Sequence, residues 1–363
     1  MRARLVIGAV WLLTAVVTII TSPARVVFAQ DQADRAISQS DGLDEAVMAA
    51  AEPSEDETRA SRSPERIIIG AYINDIQELD FRTHSYVVDL YVWFRWMRPD
   101  LDPSKSMEFM NRYQPTDHQR DLAYDEPQTM PDGSRYAVLR NQGRFSTKLV
   151  LEQYPFDRQE LTIILEDSTG GTATQLYVAD KIPIALNPSI SIPGFRIGTP
   201  RLDIVNNQYP TNFGDLTVAE QETYSRAILV VPIARPITAI AIKTFLPILL
   251  IIMCASLVLL MRPQYVDARV GLSITALLTL VALQLTGGSA LPEIDYLTLV
   301  DKVFLASYAF IMLVLARVVH ATWRGDAVND ERRMVRIDRV GLFLIVLAYA
   351  ATVGTILGVT DYV

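Results

Sequence analysis

The stretch LEQYPFDRQEL, residues 151–161, joins two alternating apolar runs, FSTKLVL before it and LTIILED after it. Because alternation with a period of two is typical of β-strands, the stretch reads as a loop between strands. It places Tyr154, Pro155, Phe156 and Asp157 side by side. An exposed loop usually lacks two aromatic rings, and a buried loop usually lacks an acid. We therefore expect this loop to lie against an apolar surface, with a basic partner for Asp157.

Composition bounds the class of protein. Half of the 363 residues are hydrophobic although 20% are charged, so the apolar residues must be concentrated in blocks. The net charge of −8, without a basic patch interleaved with aromatics, argues against nucleic acid as a partner. The single cysteine, Cys254, excludes an intramolecular disulfide, and its apolar neighbours predict a small buried side chain rather than a reactive thiol.

The N-terminal residues 1–29 are typical of a secretory signal peptide. Arg2 and Arg4 precede an apolar run, and the small residue Ala29 ends the segment. A retained anchor helix is the competing interpretation. Residues 30–63 are acidic and almost free of aromatics, which predicts a weakly structured linker.

Residues 64–235 are predicted to form an extracellular, immunoglobulin-like β-sandwich of about ten strands. Short runs rich in Val, Ile, Tyr and Phe are separated by turn formers such as MPDGS and STGGT, with no helical pattern between them. In the run SYVVDLYVWFRW the alternation places Leu90, Val92, Phe94 and Trp96 on one face, which we expect to be the core face.

Residues 236–363 are predicted to form a four-helix transmembrane domain, because roughly 20 apolar residues span a bilayer as a helix. The helices are expected at about 236–261, 267–287, 296–320 and 339–359. Arginines concentrate before the second helix, where they include Arg262 and Arg269, and between the third and fourth, in residues 317–339. By the positive-inside rule these loops are cytoplasmic. The β domain and the C-terminus then lie outside, as expected of a multi-pass protein of the cell (inner) membrane.

The second helix carries a stripe of mixed chemistry. Steps of three or four residues place one acid, small residues, hydroxyls and leucines on one side: Asp267, Gly271, Thr275, Leu278, Ala282, Leu285 and Ser289. An acid at the mouth, hydroxyls that substitute for lost water and a leucine ring that closes by dewetting suit a pore for permeant cations. A helix packed among helices, with hydroxyls bonded to its own backbone, is the alternative. The pore interpretation requires a closed cyclic oligomer.

No enzyme signature stands out. The three histidines, His84, His118 and His320, are far apart in the sequence, and no metal-ligand spacing, nucleophile elbow or phosphate-binding glycine loop is present. We therefore expect no catalytic activity and no cofactor.

The order of these features resembles the Cys-loop receptor superfamily, the pentameric ligand-gated ion channels. The similarity covers residues 65–359 and rests on YPFDRQEL, on a basic residue (Arg235) before the first helix, on Pro247 and Pro292, and on the pore pattern GLSITALLTLVAL. Thr147 and Leu161 stand where the family has its two cysteines, and the insert before the fourth helix is short. Both departures suit the prokaryotic, bacterial branch, which lacks the disulfide.

The resemblance implies a homopentamer with binding sites between neighbouring extracellular domains. By position it assigns ligand binding to aromatic and acidic side chains, namely Tyr91, Trp93, Asp167, Glu220, Glu222 and Tyr224. Interface packing is the alternative for Tyr91 and Trp93. Four acids cluster in the sequence around the same site: Asp167, Asp215, Glu220 and Glu222. They are candidates for Ca²⁺ modulation or proton sensing. A loop face that is simply solvated is the alternative interpretation.

The resemblance also implies a mechanism. A small-molecule ligand, proton or Ca²⁺ acts as effector and shifts the sandwich between two packings. Tyr154, Pro155, Phe156, Asp157 and Arg235 then act on the loop around Pro292. That motion opens a gate at Leu278, and Asp267 provides selectivity. A non-conducting receptor that signals to a partner, or a membrane enzyme or transporter, remains the rival interpretation.

Overall fold

The computed structural model describes residues 63–214, 223–288, 291–325 and 331–358. The expected signal peptide, and all of the expected acidic linker except residue 63, lie outside these residues. Glu220 and Glu222 also lie outside them, as do Asp215 and Ser289. The described chain begins with eleven strands and ends with four long helices.

The strands form two sheets that face each other. The strand bounds are β1 (Glu65–Asp80), β2 (Ser85–Trp96), β3 (Met107–Phe109), β4 (Gln119–Leu122), β5 (Gln128–Thr129), β6 (Arg135–Ser146), β7 (Arg158–Asp167), β8 (Gln175–Leu186), β9 (Arg196–Ile197), β10 (Arg201–Gln208) and β11 (Thr223–Ala234). One sheet has the order β4-β6-β2-β1-β8, with β5 paired to β6. The other has the order β10-β11-β7-β3, with β9 paired to β11. This confirms the predicted β-sandwich.

The core lies between the sheets, and the alternation in β2 locates it. Leu90, Val92 and Phe94 are fully buried and Trp96 is 1% exposed, which confirms the predicted core face. Strand β8 was not predicted from the sequence. Asp180, Lys181 and Pro183 interrupt its apolar pattern, and its parallel pairing with β1 is a long-range contact that no local signal announces.

Four helices follow the sandwich, and all are long and apolar enough to cross a membrane. They are α1 (Ile237–Leu257), α2 (Val266–Gly288), α3 (Leu299–Gly325) and α4 (Glu331–Gly358). The fourth begins earlier than the expected residue 339, because the arginine-rich segment before its apolar part is itself helical. The first ends before residue 261, where the chain turns towards α2.

Two expectations about individual side chains in this domain were wrong. Cys254 is exposed rather than buried, because it lies outside the face of α1 that packs in this chain, which carries Ile248, Ile252 and Ala255. Arg269 and Arg317 were counted as charges of cytoplasmic loops. They lie inside the helix bundle instead, where both are paired with the buried carboxylate of Asp338.

Candidate pore helix and interdomain junction

Helix α2 has one face packed against the other helices and one face without a partner in this chain. Arg269, Ser273, Ala276 and Leu280 are buried. The predicted stripe is exposed at each of its described positions: Asp267, Gly271, Thr275, Leu278, Ala282 and Leu285. Exposure reaches 63% at Leu278 and 72% at Leu285, which is high for leucine in an apolar bundle. A stripe of such side chains requires a further occupant from outside this chain, which is water, neighbouring subunits or lipid.

The threonine hydroxyls of this face bond to the backbone of their own helix. Thr275 Oγ1 donates to the Gly271 carbonyl at 2.9 Å, and Thr279 Oγ1 donates to the Thr275 carbonyl at 2.8 Å. A hydroxyl that donates its only proton still has oxygen lone pairs that accept. The exposed oxygens therefore offer acceptors to water or to a partly dehydrated cation, so intrahelical bonding does not remove them from pore chemistry.

Charge at the start of α2 is divided between its two faces. Asp267 lies exposed in the first turn, whereas Arg269, two residues later, is 1% exposed. Because successive residues advance about 100° around a helix, a spacing of two places the side chains on nearly opposite sides. The exposed start of α2 therefore presents the carboxylate.

The opening loop stands at the junction between the two domains, and its acid has the partner that the sequence suggested. Asp157 Oδ1 accepts a hydrogen bond from Arg235 Nε at 3.0 Å, and Asp157 Oδ2 accepts one from Gln159 at 2.7 Å. Asp157 is 2% exposed. This buried pair joins the loop to the residue after β11, just before the first membrane helix.

Aromatic rings surround the Arg235 guanidinium. Its central carbon lies 4.6 Å from the ring centroids of Phe81 and Phe195, and 5.1 Å from that of Tyr154. Such cation–π contacts stabilise a cation that has little water around it. Phe81 belongs to the β1–β2 turn and Tyr154 to the opening loop, so Arg235 gathers three separate segments of the sandwich at the membrane end.

The opening loop also contacts the helices directly. The Phe156 and Phe245 rings lie 5.9 Å apart, which connects the loop to α1. The Leu151 amide donates to the Tyr296 hydroxyl at 2.9 Å, and the Leu299 amide donates to the Glu152 carbonyl at 2.9 Å. The apolar surface expected for this loop is thus the end of the helix bundle that faces the sandwich.

The hydrogen bonds to the α2–α3 connection lie a few residues after Pro292, whose own role in coupling stays a prediction. Pro292 is half-buried in that connection. The hydrogen bonds of the loop reach Tyr296 and the first residue of α3 instead. Sequence alone did not single out Tyr296, because a tyrosine at the start of an apolar block is also a common interfacial residue.

Polar contacts as well as packing hold the loop between Thr147 and Leu161, the two positions at which the family has its cysteines. Thr147 Oγ1 and Thr162 Oγ1 lie 2.7 Å apart, and Gln159 bonds both the amide and the carbonyl of Val150. Hydrogen bonds of these side chains therefore help to hold the loop without a disulfide. Leu161 is 1% exposed in the sandwich core, and Thr162, the next residue, faces Thr147.

The predicted ligand-binding side chains fall on different sheets of one chain. Tyr91 and Trp93 are half-buried on β2, in the six-stranded sheet. The Arg140 guanidinium lies 5.4 Å from the Tyr91 ring centroid, and Trp93 Nε1 donates to Asp180 at 2.8 Å. Tyr224 stands on β11 in the other sheet. Within one chain these aromatics do not form one pocket, so a shared site needs two copies.

Asp167 does not present a free carboxylate. It is 3% exposed, and its oxygens accept hydrogen bonds from the Ser106 hydroxyl and from Thr169, whose amide and hydroxyl lie at 2.9 and 2.7 Å. These bonds cap the turn that follows β7. A direct contact of Asp167 with a ligand or with Ca²⁺ is therefore disfavoured. Among the described residues no cluster of three potential metal ligands occurs.

An aromatic group beside Tyr224 escaped the sequence analysis. The Tyr209 ring packs edge-on against the rings of Tyr224 and Phe213, at centroid distances of 5.7 and 5.1 Å. Phe213 is 68% exposed. Tyr209 and Phe213 follow β10, and the pairing of β10 with β11 is what brings them to Tyr224.

A buried ion pair supports this aromatic group from below. Arg226 Nη2 lies 2.9 Å from Glu166 Oε2, and the Tyr209 hydroxyl donates to the same oxygen at 2.7 Å. Burial, followed by the bond to Glu166, raises the pKa of Tyr209 above its usual value. Arg226 and Glu166 are direct partners in the β7–β11 pairing. The sequence analysis missed the ion pair because it could not show this pairing.

Comparison with known proteins bears on the whole arrangement. No model of a protein family matches the chain. It is similar to the gamma-aminobutyric acid receptor subunit beta of Lymnaea stagnalis, 28% identical over 200 residues that cover 53% of this chain and 38% of that protein. It is also similar to the gamma-aminobutyric acid receptor subunit alpha-2 of Bos taurus, 23% identical over 220 residues, covering 56% and 46%.

A third relative gives the longest of the three matches. The pH-sensitive chloride channel 2 of Anopheles gambiae is 21% identical over 316 residues, covering 79% of this chain and 50% of that protein. The matches span half or less of the lengths of these relatives. All three are animal proteins, so the bacterial assignment stays a prediction.

Proposed function

Because the chain is a member of the Cys-loop receptor superfamily, we propose that it forms a homopentameric ligand-gated ion channel whose pore is lined by α2. It is a multi-pass membrane protein with a β-sandwich domain and four apolar helices. The observation that carries the proposal is the exposed face of α2, which bears an acid, hydroxyls and leucines while the opposite face is packed in the bundle.

We propose a pore because the exposed face of α2 needs an occupant that its own chain does not supply. One helix cannot enclose water, whereas a closed ring of identical subunits turns the exposed stripes towards a common axis. Leu278 is then a ring of apolar side chains near the middle of α2, which closes the pore by dewetting. Gly271, below it, leaves the inner pore wide because it has no side chain.

We assign cation selectivity to Asp267. Its carboxylate is exposed at the start of α2, and the nearest arginine on the same helix, Arg269, is buried on the other side. A ring of carboxylates at a pore mouth attracts cations and repels anions. Anion permeation is the second candidate, because one relative is named a chloride channel. The sign of the charge at the mouth favours cations.

Gating is proposed to pass through the junction around Arg235. The Arg235 guanidinium binds Asp157 and contacts the rings of Phe81 and Tyr154, which belong to two turns of the sandwich. The loop that contains Asp157 also bonds Tyr296 and Leu299, which follow α2. A ligand that binds two packings of the sandwich with different affinity shifts the population of both domains together.

The ligand site is proposed to lie between neighbouring sandwiches. Tyr209, Phe213 and Tyr224 form the aromatic side supplied by one copy, and Tyr91 with Trp93 forms the side supplied by the next. A small molecule that carries a positive charge suits the faces of these aromatic rings. Protons and Ca²⁺ are the other effectors to test.

Orientation follows from the arginines that remain exposed. Arg262 lies in the α1–α2 connection, and Arg332, Arg333, Arg336 and Arg339 lie exposed on the first turns of α4. Removing Arg269 and Arg317 from the count leaves the asymmetry intact. We place this end in the cytoplasm, and the sandwich and the C-terminus outside an inner membrane.

Substituted cysteines test the pore assignment. The background is Cys254→Ser, which removes the chain's single cysteine. Cysteine at Thr275 or Ala282 is expected to let a water-soluble, charged thiol reagent block the current. Cysteine at Ser273, which is fully buried on the other face, is the matched control and should give no block. Block at Ser273 with none at Thr275 and Ala282 would contradict the assignment. A non-conducting receptor predicts no current in any variant.

A further inference from the structure

A buried charge cluster joins all four membrane helices at one end of the bundle. Arg269 of α2 donates from Nη2 to Asp338 Oδ2 at 2.8 Å and from Nε to the Val258 carbonyl, just after α1, at 3.0 Å. Arg317 Nη2 of α3 lies 2.7 Å from Asp338 Oδ1. The sandwich bonds Tyr296 in the α2–α3 connection, at the opposite end of the bundle, so in the proposed orientation this cluster lies at the inner end.

The cluster holds two positive charges on one carboxylate. The Arg269 and Asp338 side chains are each 1% exposed, whereas Arg317 is 17% exposed. Charges are seldom buried unless they are paired. Since Arg317 retains some access to its surroundings, Arg269 is the arginine that depends more strongly on Asp338 for its place inside the bundle.

The position of Arg269 matters because Asp267 is two residues away on the exposed face. A buried arginine that loses its counter-ion extends its flexible stem towards water. At the start of α2 the nearest water is at the inner end of the helix, where the carboxylate is exposed. A displaced Arg269 would therefore bring positive charge to the mouth that Asp267 now occupies.

We infer that Asp338, on α4 and outside the proposed pore helix, is a positioning residue for ion selectivity. By holding Arg269 between the helices, it leaves Asp267 as the charge that α2 presents at the inner mouth. This inference rests on the proposed channel function. It differs from a purely structural anchor, since an anchor affects stability and assembly but leaves the ion preference of assembled channels unchanged.

The test compares reversal potentials of the full chain in bilayers under a KCl gradient. Asp338→Asn is expected to move the reversal potential from near the potassium equilibrium value towards the chloride value. Arg317→Gln, the matched control, keeps the Asp338–Arg269 pair and should retain the wild-type value. The double variant Arg269→Gln with Asp338→Asn removes the displaced charge and should restore it.

Each outcome decides. A wild-type reversal potential in Asp338→Asn would overturn the inference and leave the channel proposal standing. A shifted reversal potential in Asp338→Asn that the double variant does not return to the wild-type value would also overturn the inference. If Asp338→Asn fails to assemble, the double variant is expected to assemble, and its failure overturns the inference. A wild type without current, or with anion current, refutes the proposed function and the inference with it.

Discussion

Asp157 Oδ1 and Arg235 Nε lie 3.0 Å apart in a buried ion pair that joins the YPFD loop to the start of the first membrane helix. Three aromatic rings enclose the same guanidinium. The pair therefore lies where the sandwich ends and the first membrane helix is about to begin. It lies beside the second contact with α1, between the rings of Phe156 and Phe245.

Breaking this pair should destabilise the protein and uncouple the domains. Asp157→Asn is expected to lower the free energy of unfolding by about 3–5 kcal/mol, because it leaves Arg235 buried without a counter-ion. Thermal unfolding of the purified chain, followed by tryptophan fluorescence, measures the loss. Arg201→Gln is the control: Arg201 pairs with Glu160 and Asp203 at the exposed edge, where a change below about 1 kcal/mol is expected. Equal losses in both variants would contradict the account.

Polar substitution at the proposed gate should ease opening. Leu278→Ser removes the apolar ring that excludes water, so current is expected without ligand. Whole-cell recording of unstimulated cells measures it. Leu250→Ser changes a leucine of α1 that is 51% exposed but does not line the proposed pore, and it should leave the resting current unchanged. A silent Leu278→Ser channel that still opens with ligand would exclude Leu278 as the gate.

The carboxylate at the mouth should set ion preference. Asp267→Asn is expected to reduce the cation-to-anion permeability ratio, because it removes the exposed acid of α2. Reversal potentials under a salt gradient give the ratio. Asp295→Asn removes another exposed acid, in the α2–α3 connection, and should leave the ratio unchanged. The assignment is excluded if Asp267→Asn keeps the wild-type ratio.

Acid stability should depend on Asp89. Hydrogen bonds from Arg140 above all, and from Asn74, hold the pKa of Asp89 below its ordinary 3.8, although burial opposes them. A carboxyl with a lowered folded-state pKa stabilises the fold above its ordinary pKa. That stabilisation is lost as the pH falls through the folded-state value. Asp89→Asn should therefore flatten the decline of melting temperature below about pH 4.

The control for that titration is Asp125→Asn, which changes an exposed loop acid and should keep the wild-type acid profile. If Asp89→Asn shows the same decline as the wild type, Asp89 does not contribute to acid stability through its ion pair with Arg140.

Local patterns predicted most of this architecture. The period of two in β2 identified the core face, and the apolar blocks located four helices, because burial and bilayer thickness act on short segments. The pairing of Asp157 with Arg235 was also foreseen, since an acid in an apolar loop needs a cation.

Long-range pairings were what local patterns missed. Glu166 meets Arg226 only because β7 and β11 are neighbours, and Asp338 meets Arg269 only because α2 and α4 both pack against α3. From the sequence, Arg269 looked like a loop charge. An ion pair between residues far apart in the sequence produces no periodic pattern, so only the folded structure shows it.

Unitary current through the purified full chain in a planar bilayer tests the central claim most directly. The account predicts discrete openings that carry cations and whose frequency changes with ligand, calcium or pH on the sandwich side. Bilayers that contain assembled protein but show no unitary current under any of these conditions would contradict it and favour a non-conducting receptor.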